Sequence, residues 1–303
     1  MGTPEFAVPS LKILIDNQYS LSTVVTAPDK PRGRGQKLSP SPVKQVAVDH
    51  HIPVLQPTNL KGESFIKQIK DLHPDLIVVV AFRILPKDVF EIPRLGSFNL
   101  HASLLPRYRG AAPINWAIIK GEKETGVTTF MLREKVDTGE ILLQARVPIG
   151  GEDDAGCVHD KLAEVGAEIV LHTVRLIEQG KTLPRMQDDS QASTAPKITR
   201  NDCRIRWDKP AHDIHNLVRG LSPYPAAFTS HSGKIVKIYR TRVLDTTSSG
   251  NPGTAFAAAD SLHVCTEDVM IAIDELQQEG KKRMAVGEFL RGYRIKDGER
   301  FNY

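Results

Sequence analysis

Apolar residues along the first 180 positions follow two periods. Short runs rich in Val, Ile and Leu mark candidate strands at 22–26, 76–81, 97–101 and 127–132, the pattern of half-buried or buried extended segments. Between them, apolar residues recur at helical spacing over 8–17, 42–50, 63–72 and 155–179. In the last of these Val158, Leu162, Val165, Ile169 and Leu176 share one face, and Gly180 supplies the stop. The run from Leu76 to Ala81 is apolar at every position, as a central parallel strand covered on both faces requires. Strands alternating with helices predict an α/β fold with a doubly wound, mostly parallel sheet.

Periodicity is lost from Pro184 to Pro196, where Gln187-Asp188-Asp189-Ser190-Gln191-Ala192-Ser193-Thr194 is almost wholly polar. That stretch reads as a linker, giving domains over 1–183 and 197–303. Beyond it a helix near 211–220 precedes short β-like runs at 228–230, 235–240, 262–266 and 269–273, separated by Gly, Asn, Ser and Asp turns. The spacing predicts a small barrel or sandwich. Neither an internal repeat nor a low-complexity tract interrupts this order.

The chain has 303 residues, of which 40% are hydrophobic and 25% charged, a balance that excludes a disordered or collagen-like polypeptide. No apolar run approaches the about 18 residues that a helical bilayer span needs. Met1-Gly2-Thr3-Pro4-Glu5-Phe6 lacks the pattern of a secretory signal, so a cytoplasmic location is expected. Cys157, Cys203 and Cys265 are widely spaced with no C-x-x-C pair, which fits ordinary thiols. Net charge is a mild +4, yet residues 1–196 hold 23 basic against 23 acidic side chains and 197–303 hold 17 against 13. The whole excess lies in the C-terminal third, which permits a polyanion-binding module there.

The stretch from Ser97 to Gly110 is the richest in candidate chemistry. Residues two apart on a strand share a face, so Asn99 and His101 present an amide and an imidazole side by side, with Phe98 and Leu100 opposite. Pro106 and Gly110 break the strand into a loop, which puts the pair near a carboxyl end, where open α/β sheets bind ligands. Asp137, 36 residues beyond His101, follows the next candidate strand in Asp137-Thr138-Gly139 and would bring a carboxylate to the imidazole. Spacing alone leaves two readings open, a catalytic set or a satisfied structural pair beside a turn aspartate. His50-His51 and His212-x-x-His215 lack partners at metal-ligand spacing. Trp116 and Trp207 are expected as core anchors.

Taken as a set, the motifs resemble a known family. Phe98-Asn99-Leu100-His101-Ala102-Ser103-Leu104-Leu105-Pro106 and Arg109-Gly110-Ala111-Ala112-Pro113-Ile114-Asn115-Trp116-Ala117 are similar to the signature of the folate-dependent formyltransferases, in the branch acting on methionyl-tRNA. Gly2-Thr3-Pro4-Glu5-Phe6-Ala7, Pro28-Asp29-Lys30-Pro31-Arg32-Gly33-Arg34-Gly35, Asp137-Thr138-Gly139, Val218-Arg219-Gly220-Leu221-Ser222-Pro223-Tyr224-Pro225 and Phe289-Leu290-Arg291-Gly292-Tyr293 extend the resemblance in order from one end to the other.

The resemblance implies a Rossmann-like catalytic domain over 1–183, a linker over 184–196, and a β-barrel, OB-like tRNA-binding domain over 197–303. It implies transfer of the formyl group of 10-formyltetrahydrofolate, a co-substrate, to the α-amino group of methionyl initiator tRNA during translation initiation, by a monomer with no metal and no membrane partner. Asn99, His101 and Asp137 fall on the family's catalytic positions. The amide and an imidazolium would donate to the developing oxyanion, and Asp137 would orient His101 in its charged form and help move protons. Ser103, Leu104, Leu105 and Pro106 fall on the folate loop, Phe82, Arg83 and Leu85 on a second stretch beside the pterin, and Val136 on the same pocket. Lys30, Arg32, Arg34 and Lys37 lie on a loop that enters the acceptor end of the tRNA, with Arg34 at the key arginine. Lys234, Lys237, Arg240 and Arg242 are candidates for phosphate contacts. Without the resemblance, the first basic group is a solvated loop and the second a mixed-charge strand face.

Two departures qualify the match. The family begins with a short apolar strand ahead of its Gly-Thr-Pro turn, and none precedes Gly2-Thr3-Pro4 here, so an upstream extension is expected to raise stability. Ala81-Phe82-Arg83-Ile84-Leu85-Pro86 has Arg83 where the tRNA branch more often has Tyr-Gly and one more residue, an arginine similar to that of glycinamide ribonucleotide formyltransferases. Competing readings are a formyltransferase whose acceptor is an amino-sugar nucleotide or glycinamide ribonucleotide, and a non-catalytic RNA- or folate-binding protein. The basic loop and C-terminal third argue against the first, and the intact Asn99, His101 and Asp137 against the second.

Overall fold

A computed structural model describes residues 1–32 and 37–302. Its helices and strands run α1 (Val8–Asp16), β1 (Val24–Val25), β2 (Lys30–Arg32), β3 (Lys37–Ser39), α2 (Pro42–Asp49), β4 (Val54–Leu55), α3 (Glu63–Asp71), β5 (Ile77–Val80), α4 (Lys87–Phe90) and β6 (Ser97–His101). There follow β7 (Arg109–Gly110), α5 (Pro113–Ile119), β8 (Glu124–Met131), β9 (Ile141–Pro148), α6 (Ala155–Glu178), β10 (Thr194–Ala195), α7 (Ala211–Leu221) and β11 (Ala227–His231). The last are β12 (Lys234–Thr247), β13 (Ala255–Ala257), β14 (Leu262–Cys265), β15 (Val269–Gln278), β16 (Met284–Ala285) and α8 (Val286–Gly292). They form two compact units, one of residues 1–110, 124–148 and 159–195, the other of 111–123, 149–158 and the chain from Pro196 on.

In the first unit β5, β6, β8 and β9 form one sheet in that order, and β1 pairs with β4. The β1–β4 and β5–β6 pairs are parallel, as the strand–helix alternation predicts, whereas β8 runs antiparallel to both β6 and β9. The sheet is therefore mixed. The loop between β8 and β9 spans 132–140, too short for the crossover of a dozen or more residues that a parallel pair needs. Register sets Val80 opposite Leu100, so the loops after β5 and β6 leave the sheet side by side. Helix α6 lies close against β6, because a Cβ on Gly166 would stand 2.7 Å from a Leu100 methyl. Gly180, at φ +64, ends the chain's longest helix through the left-handed turn that glycine adopts without steric cost.

Strands β1 and β5 are not paired to each other. A cavity of about 830 Å³ lies between them, lined by Leu14, Val24, Val25, Ile69, Ile77 and Val78 among others. Met1 and Gly2 bridge it. The α-amino group of Met1 donates to Val78 O (2.7 Å), Val80 N–H donates to Met1 O (2.9 Å), and Gly2 N–H donates to Val25 O (3.0 Å). These two residues do what a central strand does, over one bridge's length.

The second unit is an antiparallel sheet in the order β11-β12-β15-β14-β13, with β16 on β15. Its ends are drawn together by the chain terminus, since Asn302 bridges Ser230 and Arg300 bridges Thr254, giving the barrel-like closure expected from short, regularly spaced strands. Gly253 permits the closure, because at φ +88 a Cβ there would meet Phe301 O at 2.7 Å. Trp207, 1% exposed, sits in a core with Ile214, Leu221, Ile238, Leu262 and Ile271, and its Nε1 donates to Thr229 Oγ1 at 3.1 Å. Trp116, also expected as a core anchor, is instead half-buried, with Nε1 donating to Pro196 O at 2.7 Å. Among the described residues no helix is long and apolar enough to cross a membrane, and no cluster of three or more His, Cys, Asp or Glu could hold a metal ion.

Candidate active site

Strand β6 carries Asn99 and His101 on one face, while Phe98 and Leu100 are buried on the other at 0% and 2% exposure. His101 Nε2 lies 2.9 Å from Tyr108 O. A carbonyl only accepts, so Nε2 carries the hydrogen in this contact and Nδ1 is the ring nitrogen without a hydrogen bond among the described residues. Nδ1 faces Asp137 Oδ2 at 3.9 Å, with the two side chains 7% and 11% exposed. That separation is beyond a hydrogen bond and sets the carboxylate beside the unbonded ring nitrogen. It also leaves the Nδ1 position open to a further acceptor. Phe130 closes one side of the imidazole edge-on, its ring centroid 6.4 Å away. The Asn99 amide is half-buried and makes no hydrogen bond among the described residues.

Asp137 reaches this site from the loop between β8 and β9, where its own φ is +57. Its Oδ2 accepts the Gly110 N–H at 2.9 Å. Gly139 is obligatory for the loop's path, because a Cβ there would stand 1.6 Å from Met131 O. Asp137-Thr138-Gly139 thus sets the Asp137 carboxylate 3.9 Å from His101 Nδ1. Val136, its neighbour, is an exposed apolar side chain at 47%.

The loop of Ser103, Leu104, Leu105 and Pro106 is pinned by a single hydroxyl. Thr128 Oγ1 donates to Ser103 O (2.7 Å) and accepts from Leu105 N–H (3.1 Å) and Gln144 Nε2 (3.0 Å), and Gln144 also donates to Leu105 O (2.9 Å). One donor and two acceptor sites exhaust a hydroxyl's capacity, and Thr128 is fully buried. The Leu105–Pro106 peptide is cis. In the loop after β5, Arg83 donates to Pro57 O (2.6 Å) and Thr58 O (3.1 Å) and lies 5.3 Å from the Phe82 ring centroid. Its Nε is buried without a hydrogen-bond partner among the described residues. Leu85 packs into the core around Val25, Phe65 and Val89, whereas Ile84 is 74% exposed.

The basic candidates lie apart from this cluster in the sequence. Lys30 is exposed on the β2–β3 hairpin, in which Arg32 pairs with Lys37, and Arg34 lies outside the described residues. On β12, Lys234, Arg240 and Arg242 are exposed and Lys237 half-buried, its Nζ donating to Pro225 O at 3.3 Å. Register shifts between Ile238 and Thr241 change which alternate residues face outward: Val236 and Ile238 are buried before them and Thr241 after. The bulge thus brings Lys237, Arg240 and Arg242 to the outer side of one strand. Arg242 is paired there with Asp274 (2.9 Å) and Arg240 with Glu152 (3.7 Å). His215, half of a candidate metal pair, contacts Thr241 Oγ1 at 3.1 Å, and burial lowers its pKa.

Sequence reasoning missed Thr128 and Gln144, which lie on the inner stretches of β8 and β9, and Gln187, which donates to Asp137 O at 2.9 Å. Each acts through a hydrogen bond to backbone, which leaves no periodic signal. Residues 1–174 match the model of the formyl transferase family, and residues 197–294 match that of the formyl transferase C-terminal domain. A methionyl-tRNA formyltransferase of Clostridioides difficile (strain 630) is 48% identical over 300 residues, covering 98% of this chain and 97% of that protein. One from Pelotomaculum thermopropionicum is 48% identical over 301 residues, covering 98% and 96%. Among solved structures, WlaRD, a sugar 3N-formyl transferase crystallised with dTDP and 5-N-formyl-THF, shares the fold at a TM-score of 0.68 and 22% identity, covering 93% of this chain and 97% of its own. The chain belongs to the formyl transferase family.

Proposed function

We propose that this chain transfers the formyl group of 10-formyltetrahydrofolate to the α-amino group of methionyl initiator tRNA. The observation that carries this reading is the near-full-length similarity to methionyl-tRNA formyltransferases, 48% identical over 98% of the chain, on a scaffold with Asn99 and His101 on one strand and Asp137 beside His101. The residues present suit a folate. The loops after β5 and β6 supply backbone groups, an orphaned Arg83 Nε–H donor and the exposed apolar side chain of Ile84, with Val136 beyond β8, a donor and apolar set suited to a flat heterocycle with polar edges.

When bound, 10-formyltetrahydrofolate supplies the activated formyl carbon. The nucleophile is the methionyl amine, which titrates near neutrality and is therefore available uncharged. As it adds, negative charge grows on the formyl oxygen, and Asn99 and the Nδ1–H of His101 are the donors in place to receive it. Tyr108 O fixes the imidazole through Nε2, so the ring does not reorient as Nδ1 changes protonation. Asp137, held by Gly110 N–H, supports the charged imidazole and takes the proton that the amine loses, directly or through water, and returns it to the folate nitrogen as the bond from that nitrogen to the formyl carbon breaks and tetrahydrofolate leaves.

In this reading residues 1–183 form the catalytic domain and 197–303 a tRNA-binding domain joined by 184–196. Lys30, Arg32, Arg34 and Lys37 reach the acceptor end, and Lys234, Lys237, Arg240 and Arg242 contact phosphates. The protein acts in the cytoplasm as a monomer. The test is a formyl-transfer assay with 10-formyltetrahydrofolate, comparing methionine charged on initiator and on elongator tRNA. Formylation of the initiator alone is expected. Turnover of an amino-sugar nucleotide or glycinamide ribonucleotide with neither tRNA a substrate would replace the proposed acceptor.

A further inference from the structure

The backbone groups that hold the two ionisable members of the site all belong to three consecutive residues. Tyr108 O accepts from His101, Gly110 N–H donates to Asp137, and Arg109 lies between them. This stretch is conformationally costly, since Tyr108 has φ +59, and Asp137 opposite has φ +57. A residue with a side chain is strained in the left-handed region, so something must hold it.

What holds it is the polar segment that follows α6. Ser193 Oγ accepts the Tyr108 N–H (2.9 Å), Ser193 O accepts the Arg109 N–H (2.8 Å), and β10 pairs in parallel with β7. Gly110 packs so tightly on this segment that a Cβ would stand 2.6 Å from Ala195 O. At the other end, Gln187 uses its whole amide. Nε2 donates to Asp137 O (2.9 Å) and Gly139 O (2.8 Å), while Oε1 accepts from Arg109 Nε (3.0 Å) and Nη2 (2.7 Å). Both hydrogens and both lone pairs are engaged. The side chain therefore ties the loop bearing Asp137 to the stretch that supports His101 and Asp137.

We propose that Gln187 is a positioning residue that sets Asp137 against His101, so that the segment leading out of the first unit is part of the catalytic machinery. The inference rests on the catalytic reading of Asp137 given above. Without the amide, the left-handed Asp137 relaxes, and its carboxylate leaves the narrow arc in which it faces Nδ1. Misplacement on the scale of 1 Å at such a site costs about a hundredfold in rate.

The test uses the full chain. Gln187→Met preserves volume and removes all four hydrogen bonds. Gln187→Glu keeps acceptors for Arg109 but sets a carboxylate against two carbonyls. Both are expected to lower kcat ten- to a hundredfold with KM for each substrate within twofold, and to move the Gly110 amide proton resonance, which reports the bond to Asp137. Val48→Ala, at an exposed position on α2, is expected to match the parent. In an Asp137→Asn background, Gln187→Met should cost less than a further twofold. Should Gln187→Met fail to fold, Gln187→Glu carries the same test. Parental kcat in either Gln187 variant, or losses that multiply with that of Asp137→Asn, would overturn the proposal. Full turnover by Asp137→Asn with Gln187 intact would instead remove the catalytic reading on which it stands.

Discussion

A polypeptide beginning at Met1 carries its α-amino group into the interior of the first unit, 2.7 Å from Val78 O beside the cavity between β1 and β5. Burial pushes the pKa of that group from 8.0 down to about 5. The folded state therefore binds fewer protons than the unfolded chain between these values, and stability rises with pH across that window and is lost as pH falls. At about 1.4 kcal/mol per pH unit the full effect is roughly 4 kcal/mol, with ~3 kcal/mol falling between pH 5.5 and 8.5 and ~1.4 kcal/mol already lost at pH 7. An extension of five apolar, β-prone residues upstream of Met1 converts the amine to an amide and removes this dependence. It also fills the cavity and pairs with both edges, which adds stability at every pH. The two contributions are separable, because only the first changes with pH. Both tryptophans, Trp116 and Trp207, lie in the second unit, so their fluorescence reports the wrong part of the chain. Hydrogen exchange of the peptide covering β5, corrected for intrinsic rates, is the appropriate readout. The extended chain should show slower exchange throughout and a pH slope flatter by the amount given. Equal slopes in the two polypeptides would refute the buried amine, and equal protection would refute pairing of the added residues with β1 and β5.

Three other outcomes follow from the site and the outer face. His101→Ala and Asp137→Asn are expected to lower kcat by about 10²–10⁴ with far-UV circular dichroism unchanged; turnover within a few fold of the parent would leave the pair structural. Thr128→Val orphans Leu105 N–H, so Tm should fall with a loss of roughly 1–3 kcal/mol and KM for the folate should rise more than KM for tRNA; equal effects on both would detach this loop from folate binding. Asp274→Ala frees Arg242, so tRNA should bind more tightly with a log–log salt slope steeper by about 1, and weaker filter binding would remove Arg242 from the RNA surface.

The parts of the molecule legible in the sequence are those whose physics repeats. Strand β6 occupies the expected 97–101, α1, α2, α3 and α6 end within a residue of the expected limits, and Trp207 anchors the core of the second unit. Burial imposes a period on residues facing a core, and the period survives in the sequence. The pairing of Asn99 and His101 on one face follows from the same alternation. The antiparallel turn to β9 was not legible, because Ile141 to Pro148 mixes apolar and polar residues with Gln144 and Arg146 in its middle. Nor did periodicity locate β12 beyond position 240, where the bulge exchanges inward and outward residues.

The hydrogen-bonding supports of the candidate site escaped for a different reason. Thr128, Gln144 and Gln187 hold backbone carbonyls and amides, and a backbone group is the same at every residue, so no composition or spacing marks its partner. The stretch from Pro184 to Pro196 shows how far this can mislead: polarity and lost periodicity are the marks of a solvated connection, yet Gln187, Asp189 and Ser193 spend their polar atoms on Arg109, Tyr108 and the Asp137 loop. A polar segment satisfied by protein and one satisfied by water have the same composition. Only the geometry of the partners tells them apart, and here the partners are Tyr108, Arg109 and the loop that bears Asp137.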